Sequence, residues 1–133
     1  MISIAHECLA NVKEDIKPLL EKHWEMVALN QGIIKLNPNW KEYARLDAAG
    51  ILRIFTARSD GNLVGYCVLI VNQSVHYQDH KFASNDVVFV LPEYRSGATG
   101  YKLIKYAEDH CKADGVSLMM INTKVHLPFD QLM

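Results

Sequence analysis

The sequence predicts an α+β or α/β sandwich, a mixed sheet with helices on both faces. Two observations carry this. Apolar residues recur at three- and four-residue steps in the first third of the chain and at two-residue steps from Ile51 onward, so helix gives way to sheet. Near the end the order strand, helix, strand returns, which within one sheet makes a right-handed parallel crossover. The 133 residues, half of them apolar, suit one core and leave no room for a second domain.

Ile2 to His6 reads as a short strand. Asn11 with Glu14 three positions on is a capping-box pattern, and Ile16, Leu19, Leu20, His23, Trp24 and Val27 form the inward stripe of the helix that follows. Lys13, Lys17, Glu21 and Lys22 take its wet side, and Pro18 is expected to kink it. Asn37-Pro38 and then Asn39 with Glu42 start a second, short helix whose inner side is Tyr43, Leu46 and Ala49 and whose end is Gly50. Ile51 to Arg58 is a strand. Ser59-Asp60-Gly61-Asn62 holds the Asp-Gly pair of tight hairpins, so Leu63 to Val71 returns antiparallel. Asn72 to Lys81 is polar and reads as a loop or frayed extension. Ala83 to Leu91 is a strand stopped by Pro92, a third helix carries Leu103, Ile104, Ala107 and Cys111 on one side, and Val116 to Ile121 is a last apolar strand.

Composition narrows the function classes. Fourteen Lys and Arg against 15 Asp and Glu leave no basic field for nucleic acid or an anionic membrane. The longest apolar runs, Val68 to Val71 and Val87 to Leu91, fall far short of the roughly 20 residues of a membrane span. The opening MISIAHE lacks the basic start, apolar stretch and cleavage site of a secretory signal. Cys8, Cys67 and Cys111 are odd in number and widely spaced, without a CxxC pair, which fits thiols in a reducing compartment; a cytoplasmic protein is expected.

The segment Val87-Val88-Phe89-Val90-Leu91-Pro92-Glu93-Tyr94-Arg95-Ser96-Gly97-Ala98-Thr99-Gly100-Tyr101 feeds a strand through a small-residue turn into a helix. Free N–H groups and the dipole at a helix start favour phosphate oxygens, small residues let them approach, and Arg95 adds positive charge. By geometry alone this specifies an anion or dinucleotide-like cofactor, or else a purely structural turn. Neither a Walker loop nor a GxGxxG pattern is present.

This corner and turn resemble the acetyl-CoA motif of the GNAT acetyltransferases: Arg or Gln, two residues, Gly, one residue, then Gly or Ala. Arg95 matches the first position and Gly100 the last, while Ala98 stands at the middle glycine and Gly97 lies one place earlier. The two early helices, the hairpin FTARSDGNLVGYCVLIV and the strand Val116 to Ile121 follow the family's order over nearly the whole chain, and the wording is similar to that of members from bacteriophage and prophage genomes. The resemblance implies a single GNAT-like domain, residues 1–133, that takes acetyl-CoA. It implies that main-chain groups of Phe89, Val90 and Leu91 bind the pantetheine arm as an added pseudo-strand. Residues Arg95, Ser96, Gly97, Ala98, Thr99, Gly100 and Tyr101 would hold the pyrophosphate.

GNAT chemistry needs a base for the acceptor amine and an acid for the leaving thiolate. Asp86 lies in an apolar strand just before the cofactor stretch, where burial would raise its pKa toward use as a base; a structural hydrogen-bonding role is the other reading. Glu25 is the substitute base or a solvated surface residue. His23 would line the acceptor side or sit satisfied in the core, and His76 and Tyr77 would belong to a substrate-facing polar loop. His76, Asp79 and His80 lack the spacing and third ligand of a metal site, so none is expected. Tyr101 and Tyr106 are most simply packing or surface aromatics, and Cys111 is most simply core.

The implied activity is transfer of an acetyl group to a primary amine, on a small molecule or a peptide, by direct attack in a ternary complex. The alternative is a GNAT-fold module that binds CoA or a protein with weak or no turnover. Toward the end the chain departs from the family: His126 falls near a usual Asn, Met133 near a usual proton-donating Tyr, and the closing strands are missing. Two expectations follow, an acid from elsewhere or from water, and a homodimer covering the edge of the last strand; a truncated product is the other reading.

Overall fold

A computed structural model describes residues 1–27, 36–95 and 97–121. Five strands and three helices occur among them: β1 (Ile2–Glu7), α1 (Leu9–Val27), α2 (Trp40–Ala48), β2 (Leu52–Ser59), β3 (Asn62–Gln73), β4 (Lys81–Val90), α3 (Thr99–Ala113) and β5 (Val116–Met120). The sheet order is β1-β2-β3-β4-β5, antiparallel up to β4 and parallel between β4 and β5. No helix among the described residues is long and apolar enough to cross a membrane.

Alternation along β2 sends Leu52 and Ile54 to a core under α1 and α2, and Phe55 and Ala57 to a core under α3. The first core takes Val12, Ile16 and Leu19 of α1, and the second takes Leu103, Ala107 and Cys111 of α3. The β2–β3 turn is the expected tight one, with Asp60 at φ 50° and Gly61 at φ 88°, both positive as the mirror-image hairpin turn requires.

Several boundaries differ from expectation. Helix α1 begins at Leu9, ahead of the Asn11 pattern, because the Asp47 carboxylate of α2 accepts the Leu9 N–H at 3.3 Å. The helix continues through Pro18. Its stripe is buried or half-buried from Ile16 to Trp24, joined by Leu9 and Val12, which the stripe omitted. Helix α2 starts as expected, the Asn39 side chain accepting the Glu42 N–H at 3.0 Å, but Ala49 is exposed at its end and packs inside nothing. Strand β3 runs on to Gln73 and β4 starts at Lys81, since Gln73 pairs with Lys81; the loop is only 74–80.

Of the sheet's three register shifts, the one between β4 and β5 lies at Lys81 and Phe82, and two bear on the site. One lies at the β2–β3 hairpin, where Ala57 faces Gly65 and Arg58 faces Leu63. The other lies in β4, where Val68 faces Val87 but Leu69 faces Asn85, which makes Asp86 the extra residue of a bulge. Beyond the first shift Gly65 lies so close to β4 that a Cβ there would sit 3.0 Å from the Phe89 carbonyl oxygen, so no larger residue fits without movement.

Candidate active site

The bulge positions the central side chain. Asp86 and Val87 are consecutive yet line the same cleft, because the extra residue resets the alternation. The expectation of a buried carboxylate in an apolar strand is corrected: Asp86 is exposed, turned out by the bulge. The Tyr43 hydroxyl, from α2, donates a hydrogen bond to Asp86 Oδ2. Burial, followed by this hydrogen bond and the charge of Asp86, pushes the Tyr43 pKa well up, so its phenol stays protonated and remains a donor. The cleft is shallow and open to solvent, and Leu9, Ile16, Leu20, Trp40, Leu52, Ile54 and Val68 form its other walls.

Alongside lies a second polar pair. His23 is buried, with Nδ1 3.1 Å from the Tyr66 hydroxyl and its ring stacked 4.8 Å over Phe89. Burial, then the charges of Tyr43 and Asp86, raise the Tyr66 pKa. His23 is thus a satisfied core histidine beneath the end of α1. Glu25, two residues on, is exposed and is not among the cleft walls.

Strand β5 pairs with β4 only from Lys81 to Ser84, so from Asn85 to Val90 the outer edge of β4 is not paired with β5. The Leu91 N–H donates to Val64 O of β3 at 2.8 Å, which by alternation turns the main chain of Phe89 inward as well and that of Val88 and Val90 toward the open edge. Val88, which the expected stretch Phe89 to Leu91 omits, thus faces this edge, because alternation cannot be phased along an uninterrupted apolar run. Phe89 and Val90 are buried and Leu91 is half-buried.

Pro92–Tyr94 makes a single tight helical turn, and Arg95 braces it: its Nε donates to Val90 O at 2.6 Å and its guanidinium lies 5.3 Å over the Phe89 ring. Burial lowers the Arg95 pKa, and Glu93 opposes that shift. Helix α3 opens at Ala98 with no side-chain cap, and the Lys102 N–H to Ala98 O bond of 2.8 Å leaves the N–H groups of Thr99, Gly100 and Tyr101 ahead of the ladder. A Cβ at Gly97 would meet nothing within 4 Å. Main-chain donors, open space and a segment without acidic residues from Tyr94 to Ala107 fit a pyrophosphate. Thr99 and Gly100 are buried, Tyr101 is exposed, and Ser96 lies outside the described residues.

The loop 74–80 stands apart from this cleft. His76 and Tyr77 are exposed and touch each other, ring centres 4.5 Å apart, and Tyr77 leans on Phe82. From Lys81 to Asp86 the strand spans about 16 Å, so neither joins Asp86. His80 Nδ1 lies 2.7 Å from Ser117 Oγ, and no cluster of three metal-ligating side chains occurs among the described residues.

Residues 13–128 match the model of the acetyltransferase (GNAT) family. The chain belongs to the GNAT acetyltransferase family. Among solved structures, a ribosomal-protein-alanine N-acetyltransferase from Brucella melitensis biovar Abortus 2308 aligns with TM-score 0.73 at 20% identity, over 98% of this chain and 86% of that one. An aminoglycoside acetyltransferase from an uncultured soil metagenomic sample, in complex with sisomicin, aligns with TM-score 0.75 at 15% identity, over 94% and 79%. A predicted acetyltransferase from Clostridium acetobutylicum, in a structure with acetyl-CoA, aligns with TM-score 0.69 at 10% identity, over 95% and 83%. At these identities the likeness is one of fold. No curated protein matches the chain by sequence.

Proposed function

We propose that this chain, folded as one domain, transfers the acetyl group of acetyl-CoA to a primary amine in a ternary complex. The observation that carries the reading is the bulge at Asp86, which turns a carboxylate into the cleft two residues beyond Ser84, where the pairing of β4 with β5 ends. The main chain of Val88 and the N–H of Val90, whose carbonyl is taken by Arg95, would receive the pantetheine arm as an added strand. The N–H groups at the start of α3 would hold the pyrophosphate, with Gly97 leaving room and Arg95 fixing the corner. When bound, acetyl-CoA supplies a thioester whose acetyl carbon forms a bond to the acceptor nitrogen as the C–S bond breaks. Asp86 accepts the proton that the ammonium must lose, Tyr43 holds that carboxylate in place, and solvent returns a proton to the leaving thiolate.

Two variants test this. Asp86→Asn should lower kcat by about 10²- to 10⁴-fold and remove the acidic limb of the pH–rate profile, with acetyl-CoA affinity kept. Gly97→Asp, where an added side chain meets open space, should leave the melting temperature in place and weaken acetyl-CoA binding through like charge. If acetyl-CoA stabilises the protein but no amine releases thiol, the chain is a CoA-binding module instead.

A further inference from the structure

On the face of the sheet away from the cleft, two histidines meet. His6, near the end of β1, and His110, in the last turn of α3, lie with ring centres 4.6 Å apart, and both rest on the buried ring of Phe55, at 5.3 and 5.2 Å. The charged groups around them are already engaged. Asp114 takes Arg53 of β2 at 2.7 Å and Lys81 of β4 at 3.5 Å, Asp109 takes Lys105 at 3.3 Å, and Asp47 of α2 accepts the Leu9 N–H at 3.3 Å. Lys112 adds a cation to the last turn of α3, and the Cys111 thiol, raised by burial, stays neutral. Glu7 points by alternation to the other face, where Arg58 holds it. Burial, then the charges of His110 and Arg53, keep the His6 pKa below its ordinary 6.5, against the pull of Asp47.

We propose that this contact is a proton-sensitive latch between β1 and the end of α3, closed while the pair carries one proton or none and released by the second. One proton has a place, because the carbonyl end of a helix favours a cation and His110 sits there. A second sets two imidazolium rings 4.6 Å apart beside the Arg53 guanidinium, while Asp114 is already shared by two cations. The rings then part, Phe55 loses its cover, and the last turn of α3 loosens from the sheet. The sign of the pH dependence follows. With the folded His6 value below the free one, the closed latch stabilises the fold above pH 6.5, and that contribution fades as pH falls through the folded value. The latch is independent of acetyl transfer, since neither ring lines the cleft.

Two measurements on the full chain test it. NMR titration of the histidine rings should show His6 taking its proton at higher pH in His110→Gln than in wild type, because the variant removes the repelling ring charge. An unmoved His6 titration overturns the latch. Amide hydrogen exchange, corrected for its intrinsic pH dependence, reads the opening itself. Between about pH 7.5 and pH 5, protection of residues 110–113 should fall at least about fivefold more than that of β3, the factor that two unit charges 4.6 Å apart carry in water. His6→Phe keeps a ring on Phe55 without a charge. Both it and His110→Gln should lose the extra fall, while the acid loss of the Glu7–Arg58 pair stays common to all three proteins. Wild-type protection that merely follows β3 overturns the proposal, as does an undiminished extra fall in either variant. If His6→Phe does not fold, His110→Gln decides by the same two readings.

Discussion

At the scale of single residues, the pair Tyr43–Asp86 decides most. Tyr43→Phe keeps the cleft wall and removes only the donor to the carboxylate, so kcat should fall about tenfold with acetyl-CoA affinity unchanged, a loss in the range of one hydrogen bond to a charged group. The sign of its pH dependence follows from the raised pKa of Tyr43. A group whose folded pKa lies above its free value stabilises the fold fully below the free value, here about 10, and loses that contribution only as pH climbs through the folded value. Alkaline titration followed by tyrosinate absorbance should therefore show no Tyr43 step before the fold opens, and wild type and Tyr43→Phe should superimpose up to that point. Nothing local announces this pair. The two residues are 43 positions apart, and the stripe that contains Tyr43 reads as ordinary helix packing.

At the scale of elements, Glu7 of β1 and Arg58 of β2 clamp the first strand to the sheet and reach α1. Arg58 donates to Glu7 through Nε at 2.9 Å and Nη2 at 3.2 Å, and Nη2 also reaches Asp15 of α1 at 3.2 Å; the Thr56 hydroxyl donates to Glu7 as well. The Glu7 and Arg58 side chains are 16% and 18% exposed, so solvent screens the pair less than it would a surface bridge. The hydrogen bond from Arg58 holds the Glu7 pKa below its ordinary 4.5. Its stabilisation is thus present above that value and is lost as pH falls through the lower, folded value. Glu7→Gln should cost about 1–3 kcal/mol at neutral pH by urea unfolding, and the gap to wild type should close in acid. The elements themselves were legible because period and turn chemistry are local: the Asp60-Gly61 hairpin, the Asn39 cap and the start of α3 beside Gly100 all stand where the residues put them. Starts and phases were not. Helix α1 begins early because a carboxylate 38 residues away caps it, and the bulge at Asp86 exists only in the pairing of β4 with β3, 15 or more residues apart in sequence. The expectations placed on His126 and Met133 lie outside the described residues.

At the scale of the whole molecule, the two cores divide the thiols. Cys67 and Cys111 are buried in the core under α3, while Cys8 is exposed between β1 and α1. Burial, then the neighbouring Cys111, pushes the Cys67 thiol up to about 12, and burial also raises Cys111. A thiol reagent should titrate one cysteine in the native protein and all three after denaturation; rapid reaction of a second would mean that the core under α3 opens. The sheet order also has a history in time. Strands β2, β3 and β4 are joined by a tight turn and the short loop 74–80, so their pairing closes small loops. Strand β1 must wait for a partner beyond two helices, and β5 for a helix to cross the sheet. Refolding should therefore protect the amides of β2 to β4 before those of β5, as pulsed hydrogen exchange would record. The gap that parts β4 from β5 would then be the last feature of the molecule to exist, formed on a strand whose irregular register its neighbour had already imposed.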